Sequence, residues 1–459
     1  MADERASVLV VVGTRPEAIK LVPMILALRE SEVLKPLVVS TGQHHRIVNE
    51  VFALAGIEPD FELWVGGARN QLNDRVREVM GRLDDFCREQ FGADGTRADR
   101  ERISTGEYPM AVLVHGDTTS AMAAALASFH LRIPVIHVEA GLRTGSTLTP
   151  FPEELNRQLI SSISCFHLAP TSHNLQNLIR ENVPVEQIYI TGNTGIDALY
   201  WAAGLDVEIA DPEVRELYHS DRRLVIVTAH RRENWGAGLD GIAAGVRALA
   251  IEHPEVSFIV PMHPNPEVRA QWEVLADVPN VCLTEPAPYA EFAKLLTRSF
   301  LVITDSGGIQ EEAPSLNKPV LVARETTERE EGVEAGTLRL VGTDPELILR
   351  ETSILIDDER AYRAMAEAEN PYGDGRAAER IVKSLCHLYL GGPNPAQFRS
   401  NYSRRAVVKA AGYEIADILG GGLDPRMVAA SERGEGGDEE PVDEIWPDAG
   451  AVAESEAGS

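Results

Sequence analysis

Positive charge, and lysine above all, is scarce in this sequence. The 459 residues include 71 Asp and Glu against 43 Lys and Arg, so the formal net charge is −28, and six of the cations are lysine. A surface this acidic repels phosphate backbones and anionic headgroups, which argues against nucleic-acid or membrane binding through a basic face. The lysine shortage favours adaptation to a salty cytoplasm, with ordinary acidic drift as the alternative.

Paired cysteines and long apolar runs are absent as well. Cys87, Cys165, Cys282 and Cys386 are far apart and form no CxxC motif, so they favour free thiols in a reducing compartment. No stretch approaches the roughly 20 apolar residues of a membrane helix, and the N-terminal apolar run is too short for a signal peptide. We expect a cytoplasmic protein without membrane insertion.

Short apolar runs rich in β-branched residues recur along the chain, each followed by a turn and a helical pattern. This alternation predicts an α/β fold of two doubly wound, Rossmann-like domains, with the ligand in the cleft between them. The pattern restarts after about residue 195, so we place the domains at 1–194 and 195–370. The runs are 7–12, 37–41, 111–115, 135–138, 188–191, 224–228, 257–261, 281–283, 301–304 and 320–322.

Two regions break this rhythm. Residues 84–107 are polar and partly glycine-rich, which predicts a helix end followed by a surface loop. Residues 431–459 contain ten acids and one base, which is typical of a disordered tail. Residues 393–430 are weakly amphipathic, and their sequence indicates no particular function.

The turn after the first strand, Gly13-Thr14-Arg15-Pro16-Glu17, predicts the start of a helix. Thr14 is placed to cap that helix, with Glu17 closing a capping box. Arg15 and Lys20 add two cations near its positive end, which favours anion binding. A plain strand–helix junction with solvent-facing cations is the alternative.

Three carboxylates follow strands or open helices of the first predicted domain. Asp117, in the sequence HGDTT, is either a catalytic group or a helix cap. Glu139 ends a buried strand, where a carboxylate is costly unless it is paired or functional. Glu153 opens a helix, and Arg157, four residues on, could be its structural partner. Converging in one cleft, the three would suit proton transfer at a poorly acidic carbon.

Two strand ends of the second predicted domain carry similar signals. His230 could act as a general acid or donate a hydrogen bond to a phosphate leaving group, and its surroundings match no metal-ligand spacing. Ser306-Gly307-Gly308 opens a helix, so bare backbone amides would face a diphosphate. Glu312, about one turn further, is placed to bind the ribose hydroxyls of a nucleotide.

These motifs belong to a longer ordered set. It comprises GTRPEAIK, HGDTT, HVEAGLRTG, PEELNR, ITGNTGID, HRREN, TDSGGIQEEAPSL and NPYGDG. Over about residues 7–390 the chain resembles the non-hydrolysing UDP-N-acetylglucosamine 2-epimerases, as an acidic, haloarchaeal-like member. The resemblance implies a GT-B arrangement with the active site in the interdomain cleft. It also implies a helix at 371–392 that returns to the first domain, which leaves 393–459 as an extension.

The resemblance implies a role for each matching residue. The catalytic residues would be Asp117, Glu139, Glu153 and His230, the histidine assisting departure of UDP. The substrate-binding residues would be Arg15, Lys20, Arg157, Phe292, Ser306, Gly307, Gly308, Glu312 and Arg329. Gln43, His44, Gln71 and His263 stand where bacterial members have parts of an allosteric UDP-sugar site. Ala287, where the family commonly has Gln, and the extra His45 depart from the family pattern.

The implied activity interconverts UDP-GlcNAc and UDP-ManNAc for surface polysaccharide or glycan synthesis. UDP is eliminated to leave a 2-acetamidoglucal and then added back, without metal or other cofactor, in an enzyme expected to be a homodimer. A hydrolysing 2-epimerase that releases free N-acetylmannosamine and a GT-B glycosyltransferase are the alternative enzymes. The non-enzymatic alternative is a nucleotide-sugar-binding or scaffold protein whose acidic tail recruits partners.

Overall fold

A computed structural model describes residues 5–65, 71–96, 98 and 100–398. Two parallel sheets with helices between their strands account for most of these residues, which confirms the predicted α/β fold of two Rossmann-like units in a GT-B arrangement. The boundaries proposed between the domains remain predictions. The acidic tail and most of the extension, residues 399–459, lie outside the described residues.

The first sheet contains seven described strands in the order β3-β2-β1-β4-β5-β6-β7, all parallel. They are β1 (Ala6–Val12), β2 (Leu34–Ser40), β3 (Phe61–Glu62), β4 (Ala111–His115), β5 (Val135–Val138), β6 (Phe166–Ala169) and β7 (Ile188–Ile190). Every residue of β1 is buried, because helices cover both faces of the sheet and a continuous apolar run satisfies both.

The second sheet contains six described strands in the order β10-β9-β8-β11-β12-β13, again all parallel. They are β8 (Arg223–Thr228), β9 (Val256–Pro261), β10 (Val281–Thr284), β11 (Leu301–Thr304), β12 (Val320–Val322) and β13 (Leu338–Leu340). In both sheets the order reverses beside the first strand, between β1 and β4 and between β8 and β11. Ligands of doubly wound sheets bind at the carboxyl ends of such strand pairs.

Helices connect the strands and supply the rest of the core. Those of the first half are α1 (Arg15–Glu30), α2 (His45–Leu54), α3 (Leu72–Phe91), α4 (Arg100–Ser104), α5 (Thr119–His130), α6 (Glu153–Ile163), α7 (Ser172–Arg180) and α8 (Thr194–Ala203). They are followed by α9 (Pro212–His219), α10 (Ala237–Glu252), α11 (Pro266–Trp272), α12 (Tyr289–Arg298), α13 (Gly307–Ser315), α14 (Glu330–Ala335), α15 (Pro345–Asp357), α16 (Glu359–Ala366) and α17 (Ala377–Leu390). Ile381 and Leu385 of α17 belong to the same apolar cluster as β1 and α1, so the C-terminal helix packs on the first sheet.

Four of the ten predicted strands, β4, β5, β11 and β12, have the predicted bounds. Strands β3, β6 and β13, each two to four residues long, were not predicted. In the polar stretch 84–107, α3 extends to Phe91, and Gly92 ends it in the left-handed conformation at φ +61°. The short helix α4 follows, so more of this stretch is helical than the sequence predicts. Among the described residues, no helix has the length and hydropathy needed to cross a bilayer.

Candidate active site

The turns after β1 and β4 are tied together by one buried carboxylate, Glu17. Its Oε2 accepts hydrogen bonds from the Thr14 amide at 2.6 Å and the Thr14 hydroxyl at 2.8 Å, which confirms the predicted capping box. Its Oε1 accepts from the Thr118 hydroxyl at 2.7 Å. Burial raises the pKa of Glu17. The carboxylate therefore fixes the turn that carries Arg15 against the turn that carries Asp117.

Asp117 is held by Arg157 and does not cap a helix. The cap of α5 is Thr118, whose hydroxyl accepts from the Ala121 amide at 3.0 Å, so the helix-cap alternative for Asp117 is wrong. Oδ2 of Asp117 instead accepts from Nε of Arg157 at 2.8 Å and lies 2.7 Å from Nη2. Two guanidinium nitrogens on one carboxylate oxygen fix both side chains in position.

Arg157 takes its second acidic partner from its own helix, but not the residue that the spacing suggested. Nη1 donates to Oε2 of Glu154 at 2.7 Å. Arg157 is 7% exposed and Glu154 is fully buried, so the buried pair forms and the proposed i,i+4 pair with Glu153 does not. The carboxylate of Glu153, at the start of α6, has neither a hydrogen bond nor an ion pair to another side chain in the described part of the chain.

Glu139 follows β5 in a left-handed backbone conformation, at φ +62°. Its Oε2 lies 2.6 Å from Nζ of Lys20 and 3.3 Å from Nε2 of His115. Desolvation alone would raise the pKa of Glu139, but Lys20 and His115 outweigh it and hold that pKa well below its usual range. Desolvation likewise opposes the charged form of Lys20, yet Glu139 and Glu311 raise its pKa above the ordinary value. Both members of this pair stay ionised.

His230 follows β8 and is positioned through its backbone by Asp305. The fully buried Asp305 accepts at Oδ2 from the amides of His230 at 2.9 Å and Arg231 at 2.8 Å. The His230 ring stacks on His263, with centroids 5.5 Å apart and planes inclined by 14°. Desolvation lowers the pKa of His230, and His263 and Arg231 lower it further against the opposing charge of Asp305. The imidazole is therefore neutral at neutral pH and can donate a hydrogen bond from one nitrogen.

Backbone amides and a guanidinium meet at the start of α13, as the sequence predicts. Ser306 is the N-cap, and a Cβ added to Gly307 would lie 2.9 Å from Cζ of Arg329. A Cβ on Gly308 would meet no atom within 4 Å, so this residue faces open space. Arg329 donates from Nε to Oε1 of Glu311 at 2.9 Å. An exposed helix N-terminus beside a guanidinium is a favourable place for phosphate.

The side chain of Glu312 lies one turn into α13 and accepts a hydrogen bond from the Tyr289 hydroxyl at 3.2 Å. Burial raises its pKa to about 7, although Lys20 and Tyr289 act in the opposite direction. The charge of Lys20, from the first half, thus reaches a carboxylate of the second. Phe292 of α12 is partly buried against the core of the second sheet.

A family model described as UDP-N-acetylglucosamine 2-epimerase matches residues 97–386. The chain belongs to this family. The resemblance expected from the motifs is thereby confirmed.

Individual epimerases match almost their full length. The UDP-N-acetylglucosamine 2-epimerase of Yersinia pestis is 43% identical over 386 residues, covering 82% of this chain and 98% of that protein. The UDP-GlcNAc 2-epimerase of Neisseria meningitidis, solved bound to UDP-GlcNAc, is 40% identical with a TM-score of 0.70, and the match covers 83% and 99% of the two chains. The Methanocaldococcus jannaschii enzyme, in complex with UDP-GlcNAc and UDP, is 29% identical with a TM-score of 0.63 over 83% and 99%.

The four residues predicted for an allosteric site of the epimerase family lie in different surroundings. Gln43 accepts from the Ser120 hydroxyl at 2.6 Å, and the amide of His44 donates to the Gly13 carbonyl at 3.2 Å. Gln71 is exposed at the start of α3. His263 instead stacks on His230. Within the described residues the four share no hydrogen bond or ring contact, so they remain a prediction.

Several residues of this epimerase site were missed from the sequence. They are His115, Glu154, Asp305 and Glu311, whereas Glu17 was predicted only as part of the capping box. Asp305 directly precedes the Ser-Gly-Gly turn and Glu311 directly precedes Glu312, so position beside a motif was the available signal. Arg15 was predicted, and its exposed side chain has no partner among the described residues. In the same residues, no group of three or more His, Cys, Asp or Glu is arranged to hold a metal ion.

Proposed function

We propose that the protein interconverts UDP-GlcNAc and UDP-ManNAc by anti-elimination of UDP and re-addition to a 2-acetamidoglucal. The observation that carries the proposal is that the two sheets present two different kinds of functional group. The first sheet presents Asp117 and Glu139 in contact with cations, and the second presents the Gly307–Gly308 amides beside Arg329. Proton transfer and stabilisation of a diphosphate leaving group both need such groups.

Inverting C2 is hard because this carbon has no adjacent carbonyl. In the proposed elimination a carboxylate takes the C2 proton, the C–H electrons form the C1–C2 double bond, and the C1–O electrons leave with UDP. In the reverse step a UDP oxygen attacks C1 while an acid delivers a proton to the opposite face of C2. Two faces require two proton-transfer groups, and Asp117, Glu139 and Glu153 are the candidates.

The candidates differ in what each must release before it can react. Asp117 is held by Arg157 and Glu139 by Lys20, whereas Glu153 has no ionic partner among the described residues. Glu153 can therefore exchange a proton without breaking an ion pair. When a diphosphate attracts Lys20, Glu139 loses one of the two contacts that lower its pKa and keeps the other, with His115, so its basicity rises as the substrate arrives.

Departure of UDP places negative charge on the diphosphate. Arg15, Lys20 and Arg329 supply cations, the start of α13 supplies amides, and neutral His230 supplies a hydrogen-bond donor. Arg157 acts through Asp117, Phe292 lies on the nucleobase side, and Glu312 receives the ribose hydroxyls. The interdomain cleft must also retain the glucal, because its escape would end the reaction before re-addition.

We also propose a cytoplasmic homodimer that serves surface polysaccharide or glycan synthesis. The acidic, lysine-poor composition supports a halophilic setting. Regulation of the enzyme by UDP-GlcNAc through Gln43, His44, Gln71 and His263 is proposed from the family resemblance.

Incubation with UDP-GlcNAc in D₂O, followed by NMR at high and low salt, tests this function. We expect UDP-ManNAc carrying deuterium at C2. Free N-acetylmannosamine would favour the hydrolysing alternative. UDP binding with no exchange at any salt concentration would rule out epimerisation of this substrate and favour a binding protein.

A further inference from the structure

One carboxylate of the cleft has no part in the chemistry described above. Glu311 lies on α13 with 14% of its side chain exposed. Its Oε1 accepts from Nε of Arg329 at 2.9 Å, and its Oε2 accepts from Nδ2 of Asn193. Arg329 belongs to the second half of the chain and Asn193 to the turn between β7 and α8 of the first. Glu311 therefore joins the two halves beside the Gly307–Gly308 amides and Arg329, where we propose that the diphosphate binds.

The Asn193 end of this connection is itself fixed. Oδ1 of Asn193 accepts from the Gly195 amide at 2.8 Å and caps α8, while its backbone amide donates to the Tyr372 carbonyl at 2.9 Å. The Tyr372 hydroxyl donates in turn to the carbonyl of Arg329 at 3.1 Å. A ring of hydrogen bonds thus holds Arg329 at its guanidinium and at its backbone, and the NPYGDG motif supplies one member of it.

We propose that Glu311 is a positioning residue, which aims the Arg329 guanidinium at the diphosphate subsite and aligns that subsite with the Asn193 turn. This inference rests on the proposed function, because Arg329 is assigned there to the leaving group. Gly307 fits the role: its missing Cβ leaves the space that the guanidinium occupies, and any side chain there would displace it. Nη1 of Arg329 lies 3.6 Å from Oε2 of Glu328, a longer contact than the one with Glu311.

The competing explanation is that Glu311 merely balances the charges of Arg329 and Lys20. The two explanations predict opposite changes in UDP affinity when the charge of Glu311 is removed. Removing a negative charge beside a diphosphate strengthens its binding if only charge matters. If Glu311 positions Arg329, removal weakens binding, because the guanidinium loses its orientation and Asn193 loses its acceptor.

Glu311→Gln separates the two by calorimetric titration with UDP. The amide can accept from Arg329 or from Asn193 but not from both, so we expect UDP affinity to fall about tenfold, which corresponds to one charge-assisted hydrogen bond. Glu311→Asp keeps the charge but is one methylene shorter, and we expect a fall in the same direction. Glu330→Gln, exposed at the start of α14 beside Arg329, removes the same charge without the contact and should not weaken binding.

A compensating pair makes the test specific. In the double variant Glu311→Gln with Asn193→Asp, the oxygen of the new amide at position 311 accepts from Arg329, and its nitrogen donates to the new carboxylate at position 193. That carboxylate still caps α8. Net charge is conserved, and we expect affinity to return to within about threefold of the original protein. The rate of C2 deuterium exchange at saturating substrate should fall in the single variant and recover in the pair, since Arg329 acts on the departing diphosphate.

Unchanged or tighter UDP binding by Glu311→Gln would overturn the inference, and so would wild-type affinity of Glu311→Asp. If Glu311→Gln does not fold, the charge-conserving Glu311→Asp and the double variant still decide the question. If the unsubstituted protein binds UDP but does not epimerise UDP-GlcNAc, the proposed function is refuted but the inference about Glu311 is not, because the UDP affinities are measured without turnover.

Discussion

Replacing Arg157 by Met should cost far more stability than loss of an ordinary surface ion pair. Arg157 is 7% exposed and neutralises Glu154, which is fully buried and has one oxygen without any partner in the described structure. Removing one member of a buried pair leaves an uncompensated charge, which typically costs about 3–5 kcal/mol. Urea unfolding at neutral pH measures the loss. The exposed Arg77, paired with Asp74 on α3, is the control, and Arg77→Met should cost about 0.5 kcal/mol or less.

The origin of the cost is tested by a second substitution. If the stranded charge of Glu154 dominates, Glu154→Gln in the Arg157→Met background should restore at least about 2 kcal/mol, although the cavity remains. Deuterium exchange at C2 should stay low in both variants, because Asp117 has lost its anchor. A loss below about 1 kcal/mol, or the same loss with Gln at position 154, would refute the reasoning.

Three further predictions concern the site. Asp117→Asn and Glu139→Gln should abolish C2 deuterium exchange by NMR yet retain UDP binding by calorimetry, and exchange at the original rate would contradict their assigned roles. Glu312→Gln should gain stability relative to the original protein as pH rises from about 4.5 towards 7, then level off. The raised pKa of about 7 means that the folded state resists ionisation, and urea midpoints that differ by the same amount at pH 4 and pH 8 would contradict this. Gly308→Ala should not lower the melting temperature, because no atom lies within 4 Å of the added methyl and alanine favours the helix more than glycine does. It should weaken UDP binding, and unchanged affinity would place the diphosphate elsewhere.

Local patterns were sufficient for much of the fold. Strands β4, β5, β11 and β12 are short, mostly apolar runs bounded by turn residues, and their bounds were predicted from the sequence. Strand β6 was missed although, like β5, it is a four-residue run with one buried histidine: His167 is buried, and its Nε2 lies 3.0 Å from the Ser161 carbonyl. Burial of a histidine through hydrogen bonds to backbone carbonyls, here those of Ser161 and Gln187, leaves no periodic signal in the sequence.

Strand ends also identified the candidate site but not its pairings. The sequence singled out Asp117, Glu139 and Arg157 as candidate site residues, and the i,i+4 rule then suggested Glu153 as the partner of Arg157. The structure pairs Arg157 with Asp117, forty residues earlier in the chain. Asp305 and Glu311 contact residues 75 and 118 positions away. Contacts across such separations depend on how the sheets assemble, which no local spacing encodes.

The scarcity of positive charge takes on a different meaning at the site. The net charge of −28 opposes the approach of a diphosphate, and Arg15, Lys20 and Arg329 are the cations that we propose to bind it. Lys20 and Arg329 are each held by a carboxylate, those of Glu139 and Glu311. We therefore expect the overall charge to reflect the solvent in which the protein works, and the local charge to determine what it binds.

In the proposed reaction a 2-acetamidoglucal and UDP are intermediates that form and recombine in the same active site. The most direct test supplies both compounds to the protein in D₂O and follows the nucleotide sugars by NMR. The account predicts that UDP-GlcNAc and UDP-ManNAc both form, each with one deuterium at C2. Failure to form either sugar nucleotide, while UDP-GlcNAc is still epimerised, would contradict elimination and re-addition.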